Sequence, residues 1–270
     1  MDTTTAWGKY APPFSSWPLR FLIAIGLDRG GLRKIIIRSW LRHFGALIDI
    51  QVRGIKYRLN IQNNVTDRKI LSSSKEYDGT EIKELKRACK DAVFVDIGAN
   101  IGYYSLALAS SGVKNIIAVE PNPPTLARLR YNIGINKFEN QIAVFPIGIG
   151  NNGVFDLFSS GDLGSASLLA DSSKTDRISI ITRPLLDILA EQKVQNVGGI
   201  KIDVEGMEDR ALLPFFEIAP KSLWPECIVI EHCNKADWET DVIAELCKSN
   251  YATIYQSRGN TILKKRRDEK

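Results

Sequence analysis

Six side chains able to carry charge or move a proton close apolar runs of the sequence or stand just beyond them. Asp96 follows AVFV and Glu120 follows IIAV, while Asp203 and Glu205 lie in IKIDVEG and Glu231 and His232 end CIVIEH. Carboxylates and an imidazole at one place can take a proton from a nucleophile, and histidine is the side chain most often found near a neutral pKa. Asp203 or His232 could be that base. Asp203, Glu205 and Glu231 could instead gather a magnesium ion, which prefers hard oxygen ligands and acidifies what it binds. Glu205, Glu208 and Glu231 also have a plainer role open to them, pairing with Lys201 or capping helices.

Residues 93–105, VFVDIGANIGYYS, put the first of these acids at the mouth of a glycine-rich turn. The dinucleotide fingerprint GxGxxG needs its second glycine for close approach of a pyrophosphate and its third to pack helix on strand. Aligned on Gly98, those places hold Asn100 and Tyr103, and Asp96 sets a negative charge near where two phosphates would sit. The same charge favours a cationic ligand. S-adenosylmethionine carries a sulfonium and an ammonium and no phosphate, and Gly98 and Gly102 still permit close backbone approach. Glu120 follows Gly98 by 22 residues. An acid there can accept both ribose hydroxyls, which NAD and S-adenosylmethionine share, so the glycine pattern and Asp96 separate the two.

The elements that must position these residues begin with a strand at AVFV and a helix from Tyr103 to about Ser111. Strands follow at 116–120, 142–149, 154–159, 199–204 and 227–232, with a proline-opened helix from 123. Residues 236–250 read as an amphipathic helix, and 252–256 with 261–265 as a terminal hairpin around SRGN. Apolar strands separated by helices imply a parallel sheet covered on both faces, whose ligands sit at the strands' carboxyl ends. Ahead of this, residues 1–31 read as an arm of weak order, 32–43 as a helix packed on the main domain, 48–61 as a hairpin and 81–90 as a helix.

The chain has 270 residues, 44% hydrophobic and 25% charged, with a formal net charge of +5. Those values suit an ordinary soluble globular protein. The dense basic run KKRRDEK reads as a solvated tail, and no basic patch interleaved with aromatic residues predicts specific nucleic-acid binding. Cys89, Cys227, Cys233 and Cys247 form no CxxC pair, and with His43 and His232 they offer no zinc spacing. Free thiols, the polar start of the sequence and the shortness of FLIAIGL lead to the expectation of a cytoplasmic protein with no membrane span. LRKIIIRSWLRH, which mixes basic and apolar residues, would suit peripheral membrane contact.

VDIGANIGYYS, AVEPNP, IKIDVEGMED and IVIEH together resemble the FkbM-type S-adenosylmethionine-dependent methyltransferases, over roughly residues 48–264. The resemblance implies a class I methyltransferase fold. That is an α/β, Rossmann-like, seven-stranded and mostly parallel sheet with an antiparallel terminal strand, behind an extension of helix and β-hairpin. The residues read as an arm and helix over 1–47, and the resemblance implies a cap on the cofactor cleft over 48–90 and a methyltransferase domain over 91–270. The implied activity is O-methylation of a sugar, glycan or small natural product, leaving S-adenosylhomocysteine; an RNA or protein acceptor and a nicotinamide-dependent oxidoreductase are the alternatives. By the same resemblance Asp96, Gly98, Ala99, Asn100 and Gly102 line the methionine end and Glu120 holds the ribose. Pro121, Asn122, Ile147 and Gly148 border the adenine, and Tyr77 lies over the methionine. Ser165 and Ser167 belong to a loop facing cofactor or substrate. Asp203, with Glu231 and His232 beside it, faces the transferring methyl group. Where the family often has a Gly-Asp pair this chain reads GIGNNG, so Asn151 or Asn152 would take over the contact to the adenine amine.

Overall fold

The computed structural model describes residues 2–26, 30–72, 77–159 and 176–266. An amino-terminal extension holds helices α1 (Trp17–Ala24) and α2 (Gly30–Phe44) and a hairpin of β1 (Leu47–Val52) and β2 (Ile55–Asn60). Helices α3 (Val65–Leu71) and α4 (Gly79–Ala88) complete it. Alternation then runs through β3 (Val93–Ile97), α5 (Tyr103–Ser110), β4 (Ile116–Val119), α6 (Pro123–Asn136) and β5 (Ile142–Phe145). Next come β6 (Gly148–Ile149), β7 (Gly153–Ser159), β8 (Asp176–Arg183), α7 (Leu185–Glu191), β9 (Val197–Ile202) and α8 (Glu208–Ile218). The last elements are β10 (Cys227–Glu231), α9 (Val242–Lys248), β11 (Tyr251–Gln256) and β12 (Asn260–Lys265).

A seven-stranded sheet takes the order β5-β4-β3-β9-β10-β12-β11. Its strands from β5 to β10 pair in parallel, and β12 runs antiparallel to both β10 and β11. This is the α/β sheet expected from the sequence, with its terminal hairpin in place. In β3, Phe94 enters a core that includes Leu85, Leu106 and Leu129, whereas Val95 and Ile97 enter a second core with Ile188, Leu212 and Leu246. Alternate side chains thus meet helices on opposite faces, and both faces are dry. That is why these strands read as unbroken apolar runs.

The first core also contains Ile37, Trp40, Ile48, Tyr57 and Ile70, so the extension packs against the sheet's own helices. Asn132 and Asn136 of α6 join the two parts: Asn132 Oδ1 accepts from Arg58 N at 3.0 Å and Asn136 Oδ1 from Lys56 N at 2.9 Å.

Four readings need correction. Residues 2–10 are held firmly rather than loosely. The fully buried Arg58 pairs with Asp49 at 2.7 Å and donates to the carbonyls of Asp2, Thr5 and Ala6. The 142–149 strand is two pieces in different sheets, because Pro146 has no N–H to continue a ladder. The 236–250 helix spans only Val242–Lys248. Asp209 accepts from Glu239 N and Thr240 N at 2.8 and 3.0 Å, which holds that stretch out of a helix until Asp241 caps α9. Finally β8, which the sequence reading passed over, joins β6 and β7 in a second, three-stranded sheet.

Candidate active site

Two chain reversals meet at the carboxyl rim of the seven-stranded sheet. After β3, Gly98 adopts φ +76°, and a Cβ there would stand 1.9 Å from the carbonyl oxygen of Asp203. Only glycine lets the β3 turn lie against the end of β9. Gly98 N and Ala99 N both donate to Val119 O, at 3.0 and 2.9 Å, which ties the same turn to β4. Asn100, also left-handed at φ +52°, accepts from Asn64 Nδ2 at 2.9 Å. Asn64 caps α3 through Thr66 N and Asp67 N, so the extension grips the turn directly. At Gly102, φ +92°, a Cβ would be 2.6 Å from Leu129, so this glycine seats α5 against α6.

Behind the turn lies a cleft enclosing about 710 Å³, its open mouth included. Gly98, Asn100, Glu120, Pro121, Asn122, Ile147, Gly148, Asp203 and Glu205 line it, so three strand ends that the sequence singled out converge there. Ile97, Val119, Ile149, Val204 and Met207 add apolar wall. Leu157 of β7 and Ile180 of β8 complete that wall from the second sheet, and neither was picked out from the sequence. For Ile180 the signal was the apolar-polar-apolar step Ile178-Ser179-Ile180 in RISIIT.

Glu120 is almost fully buried, and its two oxygens accept from Asn100 N and Asn122 N, both at 2.9 Å. Burial pushes its carboxyl up to about 7, against the pull of those two donors. Asp96 behaves differently from its reading. Its buried carboxylate turns toward α5, where Ser105 donates from N at 3.1 Å and from Oγ at 2.6 Å, and it is not among the cleft's lining residues. Desolvation raises it to about 6, with Ser105 and Lys201 opposing. Lys201, 3% exposed, pairs in register with Asp96 and places Nζ 3.4 Å from Asp203 Oδ2 and 5.4 Å from the Tyr104 ring centroid.

Beyond Asp203 the chain bends through Glu205 (φ +54°) and Gly206 (φ +95°). Glu208 holds the bend: its buried carboxylate accepts from Val204 N at 2.9 Å, Gly206 N at 3.1 Å and Trp238 Nε1 at 2.6 Å. Glu205 accepts from Asn234 Nδ2 at 2.8 Å. Burial and the neighbouring Asp203 and Glu231 charges push Glu205 up to about 8, so at neutral pH this carboxyl holds its proton.

The remaining site residues are spread more widely. Glu231 Oε1 accepts from Cys233 N at 2.9 Å, and His232 Nδ1 lies 3.0 Å from Thr261 Oγ1; neither residue lines the cleft. The Tyr77 ring stacks near Tyr103 at 5.1 Å with Lys69 over it, outside the lining, and its burial together with Asp78 and Asp203 raises its phenol. Ala99 is buried in the turn. Asn151 and Asn152 are exposed and do not line the cleft. Ser165 and Ser167 lie outside the described residues.

For magnesium the expected trio is also altered. Among the described residues the acids whose oxygens come within 4.8 Å of one another are Asp203, Glu208 and Glu231, without Glu205. Glu208 is committed to the three donors of its bend and Glu231 Oε1 to Cys233 N, which leaves the buried Glu231 Oε2 and the Asp203 carboxylate as the oxygens not so held. The set does not fit a magnesium ion, which needs several free oxygens in near-octahedral array.

The cleft's lining holds three carboxyl groups, Glu120, Asp203 and Glu205, and among the described residues no lysine or arginine. A pyrophosphate would find no cation in that lining, whereas a sulfonium or an ammonium could approach the Asp203 carboxylate.

The model of the methyltransferase FkbM domain matches residues 96–252. Among curated proteins, the AMB antimetabolite synthetase AmbE of Pseudomonas aeruginosa is 27% identical over 201 residues, covering 58% of this chain and 9% of that protein. The hexuronic acid methyltransferase AglP of Haloferax volcanii is 24% identical over 170 residues, covering 58% of this chain and 64% of its own length. The chain thus spans less than two thirds of either relative. Among solved structures, the tRNA (uracil-54, C5)-methyltransferase of Pyrococcus abyssi aligns at 12% identity and a TM-score of 0.45, over 82% of this chain and 44% of that one.

Proposed function

The chain belongs to the FkbM methyltransferase family, and from that premise we propose that it methylates a hydroxyl of a sugar, glycan or small natural product with S-adenosylmethionine. The observation that carries the choice of methyl donor is a cleft lined by three carboxyl groups and, among the described residues, no lysine or arginine. The likeness to a hexuronic acid methyltransferase supports a sugar-type acceptor.

S-adenosylmethionine supplies a methyl group on a positively charged sulfur. Glu120, at the end of β4, accepts the ribose hydroxyls, and Pro121, Asn122, Ile147 and Gly148 flank the adenine. The turn at Gly98 and Asn100 approaches the methionine end. Asp203 stands at the cleft's mouth with its side chain 41% exposed, where an acceptor can reach it. There it takes the hydroxyl proton as the new O–C bond forms, which spares the reaction a charged oxonium product. Alignment of the hydroxyl with the methyl group supplies much of the remaining acceleration. Residues 48–90 cap the methionine side through the contact of Asn64 with Asn100, with Tyr77 nearby. Magnesium has no part in this proposal, because Glu208 of the acid cluster is committed to the bend it holds.

The test is a screen of the purified chain with methyl-labelled donor against sugar, glycan, small-molecule, lipid, RNA and protein fractions. Base-stable label in a sugar, glycan or small-molecule fraction is expected, since an ether survives mild alkali and a methyl ester does not. Label confined to RNA or protein, or label released by alkali, would overturn the reading. With the acceptor in hand, Asp203→Asn should lower kcat by roughly 10²–10⁴-fold and leave S-adenosylhomocysteine binding intact. Near-normal turnover would remove Asp203 from its role.

A further inference from the structure

Between residues 3 and 48 the sequence carries seven lysines and arginines and a single acid, Asp28. The structure sorts the apolar residues of this stretch onto two sides. Leu19 and Ile23 of α1 pack inward, as do Ile37 and Trp40 of α2. Outward from α1 and its flanks stand Phe14, Trp17, Phe21 and Ile25, spaced three, four and four residues apart and 89%, 55%, 55% and 52% exposed. From α2 the outward residues are Ile35, 62% exposed, with the exposed cations Lys34, Arg38 and Arg42. The inward face already satisfies the core, so an aromatic stripe in water contributes nothing to folding. Contiguous apolar surface of this kind marks a site of interaction.

We propose that this face seats the protein on an anionic lipid bilayer. Exposed aromatic side chains on one helix and exposed cations on the helix that follows it are the composition of segments that lie in the headgroup region. Long basic side chains can bury their stems there while their charges meet lipid phosphates and carboxylates. A groove next to α2 extends the charge: Arg33, Lys34 and Arg38 face Arg68 and Lys69 of α3 across an apolar floor at Ile37. Charge decides the occupant. A second copy brought face to face would oppose cation to cation, and Ile25 and Ile35 offer a nucleic acid neither stacking nor a hydrogen bond. No helix among the described residues is long and apolar enough to cross a membrane, so the contact lies on the surface. The face belongs to the same extension whose Asn64 holds the Asn100 turn, so the catalytic cleft is carried to the bilayer with it.

The experiment is co-sedimentation of the full chain with vesicles of phosphatidylcholine alone and with about 30 mol% phosphatidylserine. Binding is expected to the mixed vesicles, at least about tenfold weaker to phosphatidylcholine alone, and to fall as salt rises from about 0.05 to 0.5 M. Trp17→Ser with Phe21→Ser, and separately Lys34→Glu with Arg38→Glu, should each weaken it by about tenfold or more without lowering the melting temperature. All four positions are exposed, so either pair can stand if the other misfolds. Equal binding to both vesicles, or wild-type binding by both double variants, would overturn the proposal. So would a dimer in solution that Trp17→Ser dissolves while vesicles are ignored, or capture of an RNA oligomer in place of vesicles.

Discussion

Glu120 carries its proton unusually high because burial opposes its charge more strongly than the two backbone donors favour it, and its carboxyl reaches about 7 against an ordinary 4.5. Between those values the folded protein holds a proton that the unfolded chain has released. The group's contribution to stability is therefore full below about 4.5 and lost as pH rises through about 7. On the proposed reading, in which Glu120 accepts the ribose hydroxyls, cofactor binding has the opposite sign, since those hydroxyls donate best to an ionised carboxylate. The affinity for S-adenosylhomocysteine should rise by up to about tenfold per pH unit below about 7 and level off above it. Calorimetry across that range checks this, and a flat wild-type profile would refute it. Glu120→Gln should flatten the profile and weaken binding by roughly tenfold or more at the plateau, the loss of charged hydrogen bonds.

At the scale of elements, the site depends on how closely the β3 turn and the β9 end approach. Gly98→Ala puts a methyl group on the Asp203 carbonyl and also forces alanine to a positive φ. It should cost roughly 2–6 kcal/mol, overpacking and backbone strain together. Gly112→Ala is the matched control: φ is +98° and nothing lies within 4 Å of the added carbon, so strain alone, about 1 kcal/mol, is expected. Urea unfolding of the two variants separates contact from conformation; equal losses would mean that the Asp203 approach is immaterial. The sequence made both reversals visible, since glycine after an acid-ended apolar run is a local pattern. It did not show that the two reversals touch. Nor did it distinguish Glu208, which holds the bend, from Glu205, which stands over the cleft. Two residues separate these acids, and the left-handed step at Glu205 and Gly206 decides which is buried as a brace.

Across the whole molecule, one buried cation ties the amino-terminal segment to the rest. Arg58→Leu leaves Asp49 buried without its partner and should cost about 3–5 kcal/mol. It also frees the carbonyls that hold residues 2–6, so trypsin should cut at Lys9 far faster than in the wild type. Unchanged cleavage would show that the segment is held by other means. The titration of the whole chain follows from its buried acids. Asp96, Glu120 and Glu205 are raised to about 6, 7 and 8, so the ligand-free protein should lose stability steadily from about pH 5 to about pH 8. Asp49, Glu84 and Asp156, held low by arginine or lysine partners, add a loss at the acid side of the range. Melting temperature against pH should therefore peak near about pH 5, and a maximum above about pH 7 would contradict the burial of these groups.

The sequence by itself determined the strands of the parallel sheet to within a few residues, the glycines at their ends, the acids that follow them and the kind of sheet they build. Each of these is set by a few adjacent residues: an apolar run long enough to bury, a reversal that only glycine permits. Tertiary structure decided the rest. It turned Asp96 toward Ser105, brought Leu157 and Ile180 from a second sheet to the cleft, and locked the amino-terminal segment around Arg58. A side chain's direction and charge state depend on what is packed against it. In this molecule those neighbours come from positions far apart in the chain.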